Sequence, residues 1–294
     1  FKTRSIQRFM VKKLIKFIRN LYKSEDFIPL HEPYFDEEEK NFLMKALDST
    51  FVSSTGPLVN EFENEVAKFT GSKYAIATSN GSSALHTALI LEGVDKGDEV
   101  LTQSLSFVAT VNAIHYCRAF PVFLDVDKRN LGLSARSLSE FLEEFAEIRD
   151  DGFCWNISTG RKIAACLPMY TFGLGLEIKK VKKICNKFNI PLIEDAAESL
   201  GTKINNMHSG TIGDIGVLSF NGNKIITTGG GGMILTDDEE KAGRARHLTT
   251  TARLEDGWNF DHDEVGFNYR LPNLNASLGL AQLNKLPSFI EEKR

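Results

Sequence analysis

A lysine followed by a run of glycines is the first group in this sequence that could do covalent chemistry. Lys224 lies in SFNGNKIITTGGGG, residues 219–232, between a short apolar segment and four consecutive glycines. A lysine amine can form a Schiff base with a carbonyl compound when its surroundings keep it partly neutral. Most lysines, however, are solvated surface charges. Lys224 therefore needs partner groups elsewhere in the chain before any chemistry can be assigned to it.

Two adjacent carboxylates follow another apolar stretch. The segment IEDAAES, residues 193–199, carries Glu194 and Asp195 at the end of a predicted strand. Ligands of parallel α/β sheets bind at the carboxyl ends of the strands. Because successive side chains of a strand point to opposite faces, only one of the two carboxylates can address a given ligand. The alternative that either residue merely caps the next segment stays open at this point.

A third segment could hold an anion. In SNGSSAL, residues 79–85, a predicted strand ends in small residues and leads Gly81, Ser82 and Ser83 into the first turn of a predicted helix. Free backbone N–H groups and the helix dipole favour phosphate there, and the hydroxyls add donors. Serine and glycine are also ordinary capping residues, so the segment alone does not decide between these roles. No G-x-G-x-x-G sequence follows a predicted strand, which disfavours a dinucleotide site.

Together, these three segments have a specific use. Phosphate donors after one strand, a carboxylate after a second strand and a lysine 29 residues after Asp195 are the parts needed to hold pyridoxal 5′-phosphate. This cofactor needs a lysine amine for its Schiff base and an acid that keeps its ring nitrogen protonated. The glycines after Lys224 would let the backbone pass close to the cofactor, because glycine tolerates positive φ and has no Cβ.

These groups need a scaffold, and the pattern of apolar residues predicts one. From residue 28 onwards, short apolar runs alternate with helical periodicity, which is typical of an α/β fold whose mostly parallel sheet is flanked by helices. We predict one continuous domain over residues 28–255. The seven strands predicted to form one sheet are residues 73–79, 98–104, 120–127, 162–170, 191–199, 214–221 and 231–237.

Composition makes several other classes of protein improbable. The net charge of −4 and the pI near 5.9 give no overall basic field of the kind that nucleic-acid-binding proteins carry. The four cysteines, Cys117, Cys154, Cys166 and Cys185, are widely spaced and have no histidine at metal-ligand spacing. We therefore expect no metal site, no disulfide framework, no nucleic-acid partner, and reduced thiols in the cytoplasm.

The N-terminal segment, residues 1–27, is predicted to form a basic amphipathic helix. It carries eight Lys or Arg residues before the first acidic residue, and its lysines interrupt every apolar stretch, which argues against a signal peptide. No apolar run in the chain is long enough to cross a bilayer. Two interpretations remain for the helix: attachment to an anionic membrane surface, or packing on its own fold or on a sister subunit. We expect the second.

Six motifs in fixed order carry a resemblance to a known family. They are SNGSSALHTAL, QSLSFVATVNAI, PVFLDVD, IEDAAESLGT, GDIGVLSFNGNKIITTGGGGMI and VGFNYRLPNLNASLGLAQL. From about residue 28 to the end, the chain resembles the DegT/DnrJ/EryC1/StrS sugar aminotransferases, which are fold type I enzymes that use pyridoxal phosphate. The stretches FIPLHEPYFDEEE and RHLTTTAR are similar to the branch that acts on UDP-linked 4-keto-6-deoxy-N-acetylhexosamines, of the legionaminic-acid or bacillosamine type.

The resemblance implies a role for each candidate site residue. Lys224 would be the Schiff-base lysine, and Asp195 the partner of the pyridinium nitrogen. The phosphate would be held by Ser82, Ser219 and the backbone around Gly81 and Ser83. Three more positions match the family's cofactor contacts: a stacking aromatic residue, a group near the phenolic oxygen, and an asparagine that reaches the phosphate of the neighbouring subunit. They are Phe107, Glu198 and Asn268.

The resemblance also implies partners, and the chain departs from the family in places. The expected enzyme is a homodimer that moves an amino group from an amino acid, L-glutamate in this family, to a nucleotide-linked keto sugar. Relatives carry histidine where Tyr170 stands, another histidine where this chain reads LGL, and often an acidic residue within the glycine run. We expect residues 256–294 to begin a small C-terminal domain that is incomplete here. A chain without that domain could instead bind the cofactor or the sugar nucleotide without turnover.

Overall fold

The computed structural model describes residues 2–254 and 259–294, and side chains within these ranges from residue 9 onwards. The chain divides into two compact units, Phe1–Tyr34 and Phe35–Arg294. The first unit contains helix α1 (Lys2–Tyr22), in the segment where the amphipathic pattern predicts a helix. The domain boundary predicted between residues 255 and 256 lies outside the described residues.

The second unit begins with two helices whose starts are encoded locally. Helix α2 (Glu37–Asp48) opens with a capping box, in which the Asp36 side chain accepts from the Glu38 N–H and the Glu39 side chain accepts from the Asp36 N–H. Helix α3 (Pro57–Thr70) has proline in its first turn and ends at Gly71, whose φ of +84° is the left-handed conformation that glycine tolerates.

The remaining elements alternate between strands and helices, as an α/β chain should. The strands are β1 (Tyr74–Thr78), β2 (Glu99–Gln103), β3 (Phe120–Leu124), β4 (Ala146–Ile148), β5 (Cys154–Asn156), β6 (Arg161–Cys166), β7 (Ile193–Asp195), β8 (Lys203–Ile204), β9 (Met207–His208), β10 (Ile215–Ser219) and β11 (Gly232–Thr236). The helices are α4 (Gly81–Leu91), α5 (Val108–Tyr116), α6 (Ala135–Phe145), α7 (Ile178–Lys187), α8 (Glu239–Thr249) and α9 (Asn273–Glu292).

All seven predicted strands form, and they lie side by side. One ladder has the order β1-β11-β10-β7 and another has the order β3-β2-β6-β5-β4. Parallel bridges from Cys166 to Leu192 and from Met169 to Asp195 connect β6 to β7, so the two ladders continue one another. Only β11 among the seven runs antiparallel to its neighbours. The hairpin β4–β5 and the short β8–β9 pair were not predicted from the sequence.

The sheet is covered on both faces, which explains why its strands read as continuous apolar runs. In β1, Ala75 and Ala77 belong to one apolar cluster and Ile76 to the other, as the alternation of a strand requires. One cluster includes side chains of α3, α6, α7 and α9, and the other includes side chains of α4, α5 and α8. The six parallel strands therefore present their carboxyl ends at one shared edge between two layers of helices.

Candidate active site

The predicted site residues follow the carboxyl ends of four parallel strands. Gly81 and its neighbours follow β1, Phe107 follows β2, Asp195 ends β7 and Ser219 ends β10. Lys224 lies in the loop between β10 and β11. Because these strands run in the same direction, their ends meet at one edge of the sheet, where parallel α/β sheets bind ligands.

Asp195 is held in a fully enclosed position. Its side chain is 1% exposed. The Thr110 hydroxyl donates to its Oδ2 at 2.7 Å, and the Ala197 N–H donates to its Oδ1 at 3.2 Å. Burial raises the pKa of Asp195, while these two hydrogen bonds and the charge of Lys224 lower it. The carboxylate is thus oriented by two donors and retains acceptor capacity for a cation.

Glu194 has different surroundings, as strand alternation predicts. The Tyr170 hydroxyl and the Gly210 N–H donate to its Oε2, and the Ile212 and Gly213 N–H groups donate to its Oε1. Burial raises the pKa of Glu194, and the hydrogen bond from Tyr170 and those from the backbone oppose that effect. Glu194 therefore fastens the loop after β9 to the sheet. Tyr170 is fully buried in this contact.

Lys224 is not a solvated surface charge. Its side chain is 15% exposed, and its Nζ lies 3.3 Å from Oε1 of Glu198. The loop that carries it is closed by the Phe220 N–H, which donates to the Gly231 carbonyl at 2.8 Å, and it is anchored by the buried Ile226. Lys224 therefore pairs with Glu198, and its charge lowers the pKa of the buried Asp195.

Glu198 connects the lysine to a strained turn that sequence reasoning did not identify. Its second oxygen, Oε2, accepts from the Phe172 N–H at 3.1 Å. Phe172 has a left-handed φ of +54°, which is unfavourable for a residue with a bulky side chain. At Gly173, φ is +74° and a Cβ would lie 2.6 Å from the Glu198 carbonyl oxygen, so this turn requires glycine. Strained turns of this kind cluster at functional sites.

The candidate anion-binding residues lie in two segments, one that follows β1 and one at the end of β10. Asn80 caps α4 by accepting from the Ser83 N–H at 2.8 Å, so Ser83 can address an anion only through its hydroxyl, which lies 3.3 Å from that of Ser79. Gly81 and the partly buried Ser82 are in the first turn, where backbone N–H groups have no intrahelical acceptor. A Cβ on Gly81 would lie 3.2 Å from the Ser219 hydroxyl oxygen. The donors after β1 and β10 therefore converge, as an anion site requires.

The structure explains the run of glycines after Lys224 in a way that the sequence did not reveal. Gly229 has a φ of +81°, a left-handed conformation that glycine adopts without strain. A Cβ on Gly231 would lie 2.2 Å from the Thr228 hydroxyl oxygen, and one on Gly232 would lie 2.5 Å from the Asn80 carbonyl. The chain itself therefore excludes side chains from the end of the run. Clearance for a cofactor, as expected from the sequence, is not needed to explain Gly231 and Gly232.

Two predicted residues are exposed at the edges of this region. Phe107 precedes α5, its N–H donates to the sulfur of Met169 at 3.2 Å, and its ring is 60% exposed. Asn268 is exposed and pairs with Thr250, and neither the hydrogen bonds nor the ion pairs of the described chain join it to Lys224 or Asp195. The structure thus leaves both side chains available to a ligand or to a second subunit.

Thr110 is the functional contact that sequence reasoning missed. It lies 85 residues before Asp195 in the chain, within the apolar helix pattern of α5, and it is fully buried. One feature of the sequence could have identified Thr110. This residue lies three positions after Phe107, in the first turn of a helix that begins at the binding edge of the sheet.

Comparison with known proteins identifies the family of the chain. A sequence model of the DegT/DnrJ/EryC1/StrS aminotransferase family matches residues 33–294. EpsN of Bacillus subtilis (strain 168) is 39% identical over 267 residues, which are 91% of this chain and 66% of EpsN. GDP-perosamine synthase of Escherichia coli O157:H7 is 36% identical over 268 residues, 91% of this chain and 69% of that enzyme. The chain thus spans about two thirds of the length of these curated relatives.

A solved structure extends the likeness to three dimensions. Helicobacter pylori PseC, an aminotransferase involved in the biosynthesis of pseudoaminic acid, matches with a TM-score of 0.78 at 26% sequence identity. The match covers 90% of this chain and 67% of PseC. The fold is therefore that of the type I aminotransferases, as the sequence predicted.

Proposed function

Because this chain belongs to the DegT/DnrJ/EryC1/StrS aminotransferase family, we propose that it transfers an amino group from an amino acid to a nucleotide-linked keto sugar. Members of this family use pyridoxal phosphate. The observation that carries the proposal is the position of Lys224, whose Nζ lies 3.3 Å from Oε1 of Glu198 in the loop after β10, the strand next to the one that ends in Asp195. A partly enclosed lysine at the carboxyl edge of a parallel sheet lies where its amine could condense with a bound aldehyde cofactor.

The residues present fit that cofactor. Asp195 is a buried carboxylate with spare acceptor capacity, and a protonated ring nitrogen facing it would offset the cost of its burial. The donors around Gly81, Ser82 and Ser219 suit a phosphate group. The exposed ring of Phe107 can cover an apolar face of an aromatic ligand.

Each residue then has a role in the reaction. When bound, the cofactor supplies an aldehyde carbon that condenses with amines and a ring that accepts an electron pair. Asp195 holds the proton on the ring nitrogen, which strengthens that electron sink. The freed amine of Lys224 moves a proton between the α-carbon of the amino donor and the C4′ atom of the cofactor, so it must be neutral for part of the cycle. Glu198 orients this amine through its Oε1.

For the substrate, we propose a UDP-linked 4-keto-6-deoxy-N-acetylhexosamine of the legionaminic-acid or bacillosamine type, with L-glutamate as the amino donor. The stretches FIPLHEPYFDEEE and RHLTTTAR support this branch. The matched relatives also include an enzyme named for a GDP-linked sugar, perosamine. Incubation with glutamate and either UDP-linked or GDP-linked keto sugars, followed by mass spectrometry of the aminated product, decides between these nucleotides.

The assembly proposed for this enzyme is a cytoplasmic homodimer. The exposed Asn268 supports it, because that side chain would reach the phosphate in the neighbouring subunit. The segment that carries Asn268 is firmly held. The Ser79 N–H donates to the Tyr269 carbonyl at 2.7 Å, and Arg270 is paired with the buried Glu63 at 2.7 Å.

Absorption spectroscopy of the purified chain tests the catalytic proposal. With pyridoxal phosphate added, the protein should become yellow, and the absorption band should shift when L-glutamate is added. Lys224→Ala should abolish both the protein-bound band and the shift, because the cofactor then has no amine to condense with. Lys128→Ala, which removes an exposed lysine outside the site, is the matched control and should behave like the wild type.

Two outcomes would contradict the proposal. A protein whose spectrum is the same with and without Lys224 has no covalent lysine at this position. A yellow protein that ignores every amino donor would instead favour the second candidate, a binding protein without turnover.

A further inference from the structure

Helix α1 lies outside the part of the chain that the family accounts for. The family match begins at residue 33, whereas α1 spans Lys2–Tyr22. None of the site residues belongs to it. A function that rests on the family therefore gives no reason for the composition of this helix.

The helix separates apolar and basic side chains onto opposite faces. Met10, Leu14, Phe17 and Leu21 recur at intervals of four, three and four residues, so they share one face. All four are exposed, with 57–64% of their surface accessible. Lys12, Lys16 and Arg19 recur at intervals of four and three residues two positions later, which places them about 200° around the helix. The result is a broad exposed apolar face opposite a basic one.

The charge of this segment differs in sign from that of the remaining chain. Residues 1–24 contain eight Lys or Arg and no Asp or Glu. Since the whole chain carries a net charge of −4, residues 25–294 carry −12. A helix that packs on protein through its apolar face leaves its polar face in water, where either sign of charge would serve. The complete lack of acidic residues is explained instead by attraction to a negatively charged surface.

We propose that α1 is a docking helix for anionic lipid surfaces, lying in the plane of the interface. Its apolar face would enter the boundary between headgroups and acyl chains, and its lysines and arginines would face the lipid phosphates. Among the helices of the described residues, none is long and apolar enough to span a bilayer. A single helix of this kind binds weakly and reversibly. This proposal takes the first of the two interpretations that the sequence left open, and the exposed apolar face and the absence of acidic residues support it.

Vesicle co-sedimentation of the full chain tests the proposal. The protein should bind vesicles of phosphatidylcholine that contain about 30% phosphatidylserine, because the anionic lipid gives the vesicle a negative surface potential. It should bind vesicles of pure phosphatidylcholine far less, and added salt should release it. Failure to bind the anionic vesicles at low salt would overturn the proposal.

Paired variants separate the contributions of charge and apolar contact. Lys12→Gln, Lys16→Gln and Lys23→Gln together should weaken binding roughly a hundredfold, since each charge near an anionic surface contributes about a fivefold effect. The matched control replaces Lys179, Lys183 and Lys187 with Gln, which removes three exposed lysines from α7 and should leave binding within about twofold, as expected if α7 stays outside the interface. Leu14→Ala with Phe17→Ala should also release the protein. Binding that survives this apolar variant would be purely electrostatic and would overturn the docking mode.

A second copy of the chain is the competing occupant of the apolar face. Light scattering without vesicles distinguishes it. The wild type and the Leu14→Ala, Phe17→Ala variant should have the same assembly mass if α1 serves a lipid surface. A smaller assembly in the variant would show that the face joins copies of this chain, and the proposal would be wrong.

Discussion

Glu194 and Asp195 are consecutive carboxylates at the end of β7, and both have almost no exposed surface. Their donors differ in number. Glu194 accepts from Tyr170 and from three backbone N–H groups, two donors to each oxygen, which fills the four acceptor positions of a carboxylate. Asp195 accepts from Thr110 and Ala197, one donor to each oxygen.

The number of donors separates a carboxylate whose acceptor positions are filled from one that can still bind a ligand. Burial raises the pKa of both groups, so burial alone does not separate them. The saturated acceptor positions of Glu194 leave it nothing to offer a ligand, and its contacts close the fold. Asp195 has two positions left, and the charge of Lys224 lowers its pKa. An enclosed carboxylate with unfilled acceptor positions destabilises the fold unless a ligand fills them. Such unfilled positions are typical of an active site.

The largest effect should come from Asp195→Asn, measured as kcat with saturating cofactor. The amide has the same shape and can still accept from the Ala197 N–H and donate to the Thr110 hydroxyl, so folding should be nearly unchanged. A neutral amide cannot hold the proton on the ring nitrogen, and kcat should fall about 10²- to 10³-fold. An unchanged kcat would remove Asp195 from the reaction and erase the distinction drawn from Glu194.

The reciprocal change, Glu194→Gln, should act on stability instead. The amide places N–H donors where the carboxylate accepted from backbone N–H groups, so several buried donors lose their charged acceptor. We expect the free energy of unfolding to fall by about 3 kcal/mol, measured by urea denaturation of the cofactor-free chain. Activity per folded molecule should stay within a few-fold. A loss below about 1 kcal/mol would mean that the donors do not depend on a charged acceptor.

Much of this arrangement can be predicted from the sequence, because it depends on patterns of residues that are close together in the chain. Strands buried on both faces become apolar runs, so all seven were found, and Gly81, Asp195 and Ser219 follow from the ends of those runs. The strand alternation correctly predicts that Glu194 and Asp195 have separate surroundings. Each of these inferences uses residues that are near one another in the chain.

The contacts that join distant segments were not predictable in the same way. The bond from Thr110 to Asp195 depends on which strands become neighbours, and the packing of Gly232 against Asn80 depends on the close approach of β11 to the start of α4. The hairpin β4–β5 is partly exposed and short, so it lacks the apolar run that marks a buried strand. Its turn does contain an Asp-Gly pair, Asp151 and Gly152, which is a hairpin signal that went unused.

The smallest effect should come from Thr110→Val, which tests how Asp195 is kept ionised. Valine has nearly the same shape as threonine but cannot donate to Oδ2, so about one charge-assisted hydrogen bond is lost, and affinity for pyridoxal phosphate should fall roughly tenfold. That hydrogen bond lowers the pKa of Asp195, so its removal raises this pKa further. Since the reaction needs the ionised carboxylate, the acidic limb of the pH–rate profile should move to higher pH.

Thr110→Ser separates this electrostatic role from packing. Serine keeps the donor and loses only a methyl group, so it should restore the wild-type pH profile even where it lowers stability slightly. If valine and serine lowered affinity equally and neither moved the acidic limb, Thr110 would only fill space in the core. A shift of the acidic limb with valine alone would show that the Thr110 hydroxyl keeps Asp195 ionised. Glu194 already has four donors, so it does not depend on a single hydroxyl in this way.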